Sequence, residues 1–560
     1  MPGTFKELSD FEARGRIEKF SAIFSLIILG LIICFLGLSI YGLFDVDETR
    51  FAASALEMVR SGDYLVPSFN GEPRLTYPVL YYWFLVGFLK IFGFSPGAFR
   101  LVSAVFAFGL IMTVGHIVYR ESRVEGGFLA GVILATSSLY AYMARIAMAD
   151  MVFSVLLFLS SILLYLGTFD AKRVNRTMIR AGAFAMALAV LTKGITGLIL
   201  PFLSLFLFSW LNGRLKRMAD AILDVRAIVI FLMIVLPWYV AAYIQLGSDQ
   251  FYLHFVKELF NSALGVNTGH RGPIYYFVPV IVLGMFPWTF FLPQTVFSIL
   301  KERGFSLKAV GENISLDMFL LLFSCVIFIF FSLSPSKVPT QVLPLFPALA
   351  IIAALYLEKA IVHRKYPELG FVSGAYAYAL SSLLLGILFI YPKEYFPIIS
   401  EAGLTHLTFY AGLLMVTGGF FVAFFTIIRK KINRPRVKIF AAMLIPQLLF
   451  LWFVFFAVLP ELFQYRQVDL QEISQVIKTA DDGDSPVIFY KKFKPSVTML
   501  TGRVIHQART YEEVIAYTSN KQNAYLIFPG TEPTVDLTAL GVVSELYQGR
   551  LYSLYKIRVK

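Results

Sequence analysis

Long apolar runs recur along this chain from residue 19 to residue 459, each close to the length a bilayer demands. Windows near 19–43, 97–119, 126–143, 151–169, 178–192, 195–212, 226–245, 273–299, 317–333, 340–357, 371–391, 407–428 and 439–459 predict about thirteen spans. Hydrophobic residues make up 58% and charged residues 15% of the 560 positions, so length rules for soluble domains do not apply. The formal charge of +13 does not imply nucleic acid, because Lys and Arg lie in short loops between apolar runs. Cys34 and Cys325 both fall inside such runs, which argues against a disulfide framework or a thiol metal site. Lys6, Arg14, Arg16 and Lys19 precede the first run without a small-residue cleavage site, so a retained anchor is expected.

Orientation follows from parity. The segment Pro78 to Phe94 is apolar enough to suggest one more span. If it does not cross, every basic loop falls on the N-terminal side: Arg120/Arg123, Lys172 to Arg180, Arg214 to Arg217, Lys301 to Lys308, Lys359 to Lys365 and Arg429 to Lys438. That choice satisfies the positive-inside rule, so 78–94 is expected to lie at the outer surface. Its rings Tyr81, Tyr82, Trp83 and Phe84 would sit at the interface, with Lys90 reaching headgroups. The expected fold is a polytopic α-helical membrane domain over 1–460, with a long external loop at 44–96. A small soluble α/β domain over 461–560 would lie on the same outer face. There, Asp469-x-x-Glu472 and Thr510-x-x-Glu513 have capping-box spacing, and Val487–Phe493, Ala524–Phe528, Val542–Tyr547 and Leu551–Arg558 read as strands.

The uncommon polar residues gather on that face. Asp45, Asp47, Glu48 and Arg50 follow the first run at once, and Asp150 ends another run on the same side. Lys193, His254, Glu258, His270, Arg271 and Lys337 fall in the other outer loops. No phosphate-binding glycine loop, zinc spacing or nucleophile elbow occurs. Carboxylates with scattered cations at a membrane rim suit group transfer from a phosphate-bearing lipid, and equally a proton-coupled transporter.

Several blocks carry a resemblance. They are Tyr41 to Ala52 with its Asp47-Glu48-Thr49-Arg50, then Glu57-Met58, Ser61 to Pro67, Asn70-Gly71, Pro78 and Leu80 to Trp83. Ala144-Arg145 to Asp150, Leu191 to Gly194, His270 to Pro273, Phe286 to Trp288, Phe331 to Pro339 and Leu343 to Pro347 continue it in order. Together they resemble the lipid-linked, C-type (GT-C) glycosyltransferases, nearest the aminoarabinose transferases that modify lipid A and the wider protein O-mannosyltransferase superfamily. The resemblance implies an inner-membrane enzyme moving a sugar from a polyprenyl-phosphate donor to a glycolipid or protein hydroxyl at the outer face. It implies Asp47 as catalytic base, Asp150 as the second acid, and Arg50, Glu48, Lys193, His270, Arg271, Lys337 and Tyr77 near donor phosphate or substrate.

Other readings of the same residues stay open. Arg50 is alternatively an ion-pair partner of Asp47 or Glu48, and Asp150 an N-cap for a helix starting at Met151. Lys193 alternatively snorkels to headgroups, Lys337 decorates a surface turn, and His254 with Glu258 forms an i, i+4 surface pair. One departure stands out: Thr76-Tyr77 replaces the Glu-Lys pair that in the aminoarabinose transferases serves a metal and the donor phosphate. That argues against a divalent metal without excluding one, and leaves Arg74 as a replacement charge. An O-antigen-type polymer ligase and a lipid-linked sugar flippase or transporter are the rival functions.

Overall fold

The computed structural model describes residues 5–170, 173–253, 271–303, 315–363, 368–391, 403–480, 483, 485–519, 521–530 and 537–559. The chain divides into two compact units. One comprises Met1–Gly37, Thr76–Leu80 and Arg100–Val454, the other Leu38–Leu75, Tyr81–Phe99 and Phe455–Lys560.

The first unit is helical. Each expected window carries a helix, yet among the described residues only eight helices are long and apolar enough to cross a membrane. A ninth span arises if Phe277–Gly284 and Trp288–Glu302, which meet at 106°, act as one. The figure of thirteen therefore stays an expectation. Four departures account for the rest of the difference, and one is Thr196–Leu211, only 16 residues long. The first helix stops at Phe35 rather than near 43, and Gly37 follows with a φ of 77°. The window 126–143 is broken into Val124–Thr136 and Ser138–Met143, with Ser137 extended between them. Thirteen helical residues reach about 20 Å, short of a hydrocarbon core of roughly 30 Å. Arg176–Lys193 is long enough but carries Arg176, Arg180 and Lys193.

The second unit combines two distant parts of the sequence. Helix Asp47–Ser61 ends at Gly62 in the left-handed region, whose N–H returns to the Met58 carbonyl at 3.1 Å. Strands β1 (Ser68–Phe69) and β2 (Glu72–Pro73) form an antiparallel hairpin. Its turn, Asn70-Gly71, has φ of 59° and 83°, the pair that Asn-Gly adopts with least strain. Helix Leu80–Phe92 follows, as expected, but its rings are not all interfacial. Tyr81 and Tyr82 are buried, with Tyr81 edge-on to Phe51 at 5.0 Å between centroids. Trp83 donates to the Tyr64 carbonyl at 2.7 Å, and the exposed Lys90 lies over the Tyr64 ring.

The tail forms a five-stranded sheet from β3 (Val487–Tyr490), β4 (Ile505–Ala508), β5 (Asn523–Pro529), β6 (Gly541–Gln548) and β7 (Tyr552–Val559). The order is β4-β3-β5-β7-β6, with β3 parallel to β4 and β5, and β7 antiparallel to β5 and β6. Alternate residues face opposite cores. Ile488, Leu526 and Ile557 line one, while Val487, Phe489 and Ile527 pack on Leu470, Ile473 and Ile477 from helix Leu459–Ala480. Strand β4, short and half polar, had no clear sequence signal. Thr510 caps helix Tyr511–Thr518 as expected, accepting from Glu513 N. Asp469 does not cap anything: it lies inside its helix and accepts from Leu551 N, Tyr552 N and the Tyr547 hydroxyl.

Candidate functional site

In the second unit, the segment from Phe44 to Arg50 sorts its acids by what each carboxylate touches. Asp45 is fully engaged. One oxygen accepts from Thr49 Oγ1 at 2.5 Å and from Ser496 N at 2.9 Å, and the other accepts from Ser496 Oγ at 2.6 Å. With its amide turned to satisfy both partners, Gln467 adds a donor to Asp45 Oδ2 and an acceptor for Asp45 N. Glu48 is buried and reaches back to accept from Phe44 N at 2.9 Å, a bond that fixes the entry to the helix. Asp47, the first helical residue, is exposed and makes no side-chain hydrogen bond among the described residues. An acid in a helical first turn lies at the positive end of the helix dipole.

Arg50 is half-buried over the Phe69 ring and makes no ion pair among the described residues, so neither the Asp47 nor the Glu48 pairing forms. Burial lowers its pKa first and the neighbouring Arg74 lowers it further, while Asp47 opposes both. A guanidinium remains charged through such a shift.

In the first unit, Lys193 Nζ and Asp150 Oδ1 form an ion pair at 2.7 Å, with 15% and 4% of their side chains exposed. Lys193 closes helix Arg176–Lys193 and Asp150 lies in the first turn of helix Ala149–Tyr165, so each charge also complements its own helix dipole. The capping role considered for Asp150 fails, because the N-cap is Met148 and the carboxylate points to Lys193 instead. The Lys193 ammonium lies over the rings of Tyr77 and Phe153, at 5.4 and 5.6 Å from their centroids. Asp150, Lys193 and Tyr77 are thus brought together, which spacing along the sequence did not show.

Lys337 is buried rather than a surface decoration. Its ammonium donates to the carbonyls of Phe331, Ser332 and Ser334, at 3.3, 2.7 and 2.5 Å, and so ties down the end of helix Leu316–Leu333. Arg271 bridges Ser336 through the backbone, and a Cβ at Gly272 would come within 3.1 Å of the Lys337 side chain. His254, Glu258 and His270 lie outside the described residues. Arg145, quoted within a matched block but given no role, is buried and donates to the Ile33 and Leu36 carbonyls at 2.9 and 2.6 Å. A lone arginine inside an apolar run was the available signal for it. Among the described residues no group of three or more His, Cys, Asp or Glu side chains is placed to hold a metal ion.

Residues 19–259 match the family described as dolichyl-phosphate-mannose-protein mannosyltransferase. A protein of Aquifex aeolicus is 28% identical over 377 residues, covering 66% of this chain and 70% of its own length. An undecaprenyl phosphate-α-4-amino-4-deoxy-L-arabinose arabinosyl transferase of Edwardsiella ictaluri is 27% identical over 353 residues. That alignment covers 61% of this chain and 60% of the transferase. The crystal structure of ArnT from Cupriavidus metallidurans bound to undecaprenyl phosphate superposes with a TM-score of 0.76 at 17% identity, covering 95% of this chain and 97% of that one. The chain is a membrane glycosyltransferase. The Archaeoglobus fulgidus oligosaccharyltransferase shares the fold at a TM-score of 0.52 and 10% identity, covering 91% of this glycosyltransferase and 69% of its own chain. The family match contains Asp47, Arg50, Tyr77, Asp150 and Lys193 of the glycosyltransferase, while Arg271 and Lys337 fall beyond it.

Proposed function

We propose that this glycosyltransferase moves a sugar from a polyprenyl-phosphate donor to a lipid A-like glycolipid or a protein hydroxyl. The reaction would run at the outer face of a bacterial inner membrane, with residues 44–96 and 461–560 extracytoplasmic. The observation that carries the catalytic assignment is the division among the acids of the Phe44–Arg50 segment. Asp45 and Glu48 are committed to hydrogen bonds, while Asp47 is exposed with no such bond among the described residues. The names of relatives support the donor class, since those similar over this region include undecaprenyl-phosphate aminoarabinose transferases.

The chemistry follows from the groups present. An acceptor hydroxyl attacks the anomeric carbon opposite the phosphate. Its oxygen forms the new glycosidic bond, its proton passes to Asp47, and the bond from anomeric carbon to phosphate oxygen breaks with inversion. The leaving lipid phosphate gains negative charge, which arginine and lysine side chains stabilise. A phosphate acceptor is already ionised and needs positioning rather than a base. Thr76-Tyr77 sets this chain apart from the aminoarabinose transferases at a donor-side position, so the sugar is left at the level of class. No step is assigned to a metal.

Transfer of labelled sugar from a polyprenyl-phosphate donor, measured in detergent, tests the assignment. A positioned general base contributes about 10²–10⁴-fold in rate, so Asp47→Asn is expected to lose roughly that factor while folding and binding donor normally. Near wild-type turnover would remove Asp47 from the base role.

A further inference from the structure

Two basic stretches of the first unit border one trough. Arg120 and Arg123 flank the turn between helices Pro96–Glu121 and Val124–Thr136, and Arg429 to Arg436 lead into helix Pro435–Phe453. The first pair lines a cavity of about 1090 Å³, while Lys430, Arg434 and Arg436 line one of about 710 Å³. Glu125, Ile361, Val362 and Val437 border both, so the two cavities are parts of the same trough. A narrower cleft of about 230 Å³ continues from it, sharing Ala22, Tyr119, Val124 and Phe128 and then passing Leu26 and Met112.

Charge in the trough is unbalanced. Arg429 is taken by the Glu368 carboxylate at 2.5 Å, and Arg436 donates to the Ala360 carbonyl. Arg120, Arg123, Lys430 and Arg434 are exposed and make no side-chain hydrogen bond or ion pair among the described residues. Against them stands Glu125, likewise without an ion pair among the described residues. Lys19 adds a cation where trough meets cleft, its ammonium 4.6 Å from the Tyr119 ring centroid. The walls, by contrast, are apolar: Val362 and Val437 are 40% and 48% exposed, and Leu26 and Met112 line the cleft. Cations around an apolar cleft between membrane helices complement a phosphate carried on acyl chains. An acidic peptide would satisfy the cations and leave the cleft unused.

We infer that this trough holds an anionic phospholipid, with its phosphate among Arg120, Arg123 and Arg434 and one acyl chain in the cleft beside Ala22, Leu26 and Met112. The guanidinium forks supply paired N–H donors to phosphate oxygens, and the cleft shields the start of the chain. The site shares no residue with the groups assigned to sugar transfer, and parity puts its basic loops on the N-terminal side of the membrane, away from Asp150 and Lys193. A lipid seated there touches the first helix, the Arg120–Arg123 turn and the start of helix Pro435–Phe453 at once, so it acts as a bridge among three distant stretches of sequence.

The test titrates phosphatidylglycerol and phosphatidylcholine, separately, into the purified full chain in detergent, with bound lipid counted by native mass spectrometry. Wild type is expected to bind phosphatidylglycerol saturably and more tightly than phosphatidylcholine. Arg120→Gln combined with Arg123→Gln should weaken phosphatidylglycerol roughly 30-fold, the effect of removing two cations beside a lipid phosphate, and leave phosphatidylcholine unchanged. Both arginines are exposed, so the double variant is expected to fold. Ala22→Phe fills the cleft and leaves every charge in place, and it too should weaken phosphatidylglycerol, which general attraction between a basic surface and anionic lipid would not do. Equal wild-type affinity for the two lipids overturns the inference, as does wild-type affinity of either variant for phosphatidylglycerol. If Ala22→Phe does not fold, the arginine double variant decides alone. Tighter binding of a poly-glutamate peptide than of phosphatidylglycerol would make the trough a protein-docking face and overturn the lipid assignment. None of these readouts depends on sugar transfer.

Discussion

Asp45 Oδ2 accepts a hydrogen bond from Ser496 Oγ at 2.6 Å, joining residues 451 apart in the sequence. The bond changes how the two neighbouring aspartates should behave. Asp45 is outside the matched pair of residues, which suggests that replacing it costs little, yet its carboxylate receives the Ser496 hydroxyl, the Ser496 N–H and Thr49. Asp45→Ala is expected to destabilise the protein by about 3 kcal/mol or more, the scale of several charge-assisted bonds lost together with donors left unmet. Thermal melts in detergent check this: Asp47→Asn should melt like wild type while Asp45→Ala melts lower. Equal melting of the two would contradict the division of roles.

The Asp150–Lys193 pair makes a second prediction. Removing one member leaves a nearly buried charge without its partner, which typically costs about 3–5 kcal/mol. Lys193→Met or Asp150→Asn alone should therefore lower the melting temperature markedly. The double variant should recover much of that loss, because the uncompensated charge is gone, yet remain inactive if the pair also serves substrate. A double variant as unstable as the sum of the singles would mean the pair is not coupled.

Activity should survive chelation. Thr76-Tyr77 offers neither the carboxylate nor the ammonium of the Glu-Lys pair. Turnover in excess EDTA is expected to match turnover without it. Inactivation that a divalent ion reverses would instead direct attention to Glu72 and Glu48 as ligands.

His506 supplies a pH dependence. Burial lowers its pKa below the ordinary 6.5, and Lys521 lowers it further, while the ring stacks on Tyr517 at 4.7 Å. Below 6.5 the unfolded chain takes up a proton that the folded chain resists, so stability falls as pH falls from 6.5 towards the folded value and is retained above it. His506→Gln should flatten this part of a melting-temperature profile measured between pH 5 and 8, values chosen to span about 1.5 units either side of the ordinary His pKa. An unchanged slope would assign the effect to another group.

The sequence revealed the apolar segments and the stretch after Pro78 as helices, because each depends on residues close together in the chain. It did not reveal the breaks. Ser137 interrupts one window and a 106° bend interrupts another, although both windows are long and predominantly apolar. Nor did it reveal pairings set by the fold alone. Lys193 reads in sequence as reaching headgroups or phosphate, whereas the fold gives it a carboxylate 43 residues earlier. Tyr81 and Tyr82 looked interfacial because aromatic composition does not say which face of a helix meets Phe51. Lys337 sat between prolines in an outer turn, and only three converging carbonyls explain its burial.

The hairpin turn carries a last consequence. The Asn70 side chain accepts from Ile505 N at 2.8 Å and donates to Ile505 O at 3.0 Å, just where the outermost strand β4 begins. An amide that occupies one N–H and one C=O of a border strand imitates a neighbouring strand for a single residue and then stops. The open rim of the sheet is thereby denied its first rung to any second molecule, since pairing between edges starts from such unsatisfied backbone. One rung of the tail's outermost strand is thus closed by a two-residue turn near the opposite end of the chain.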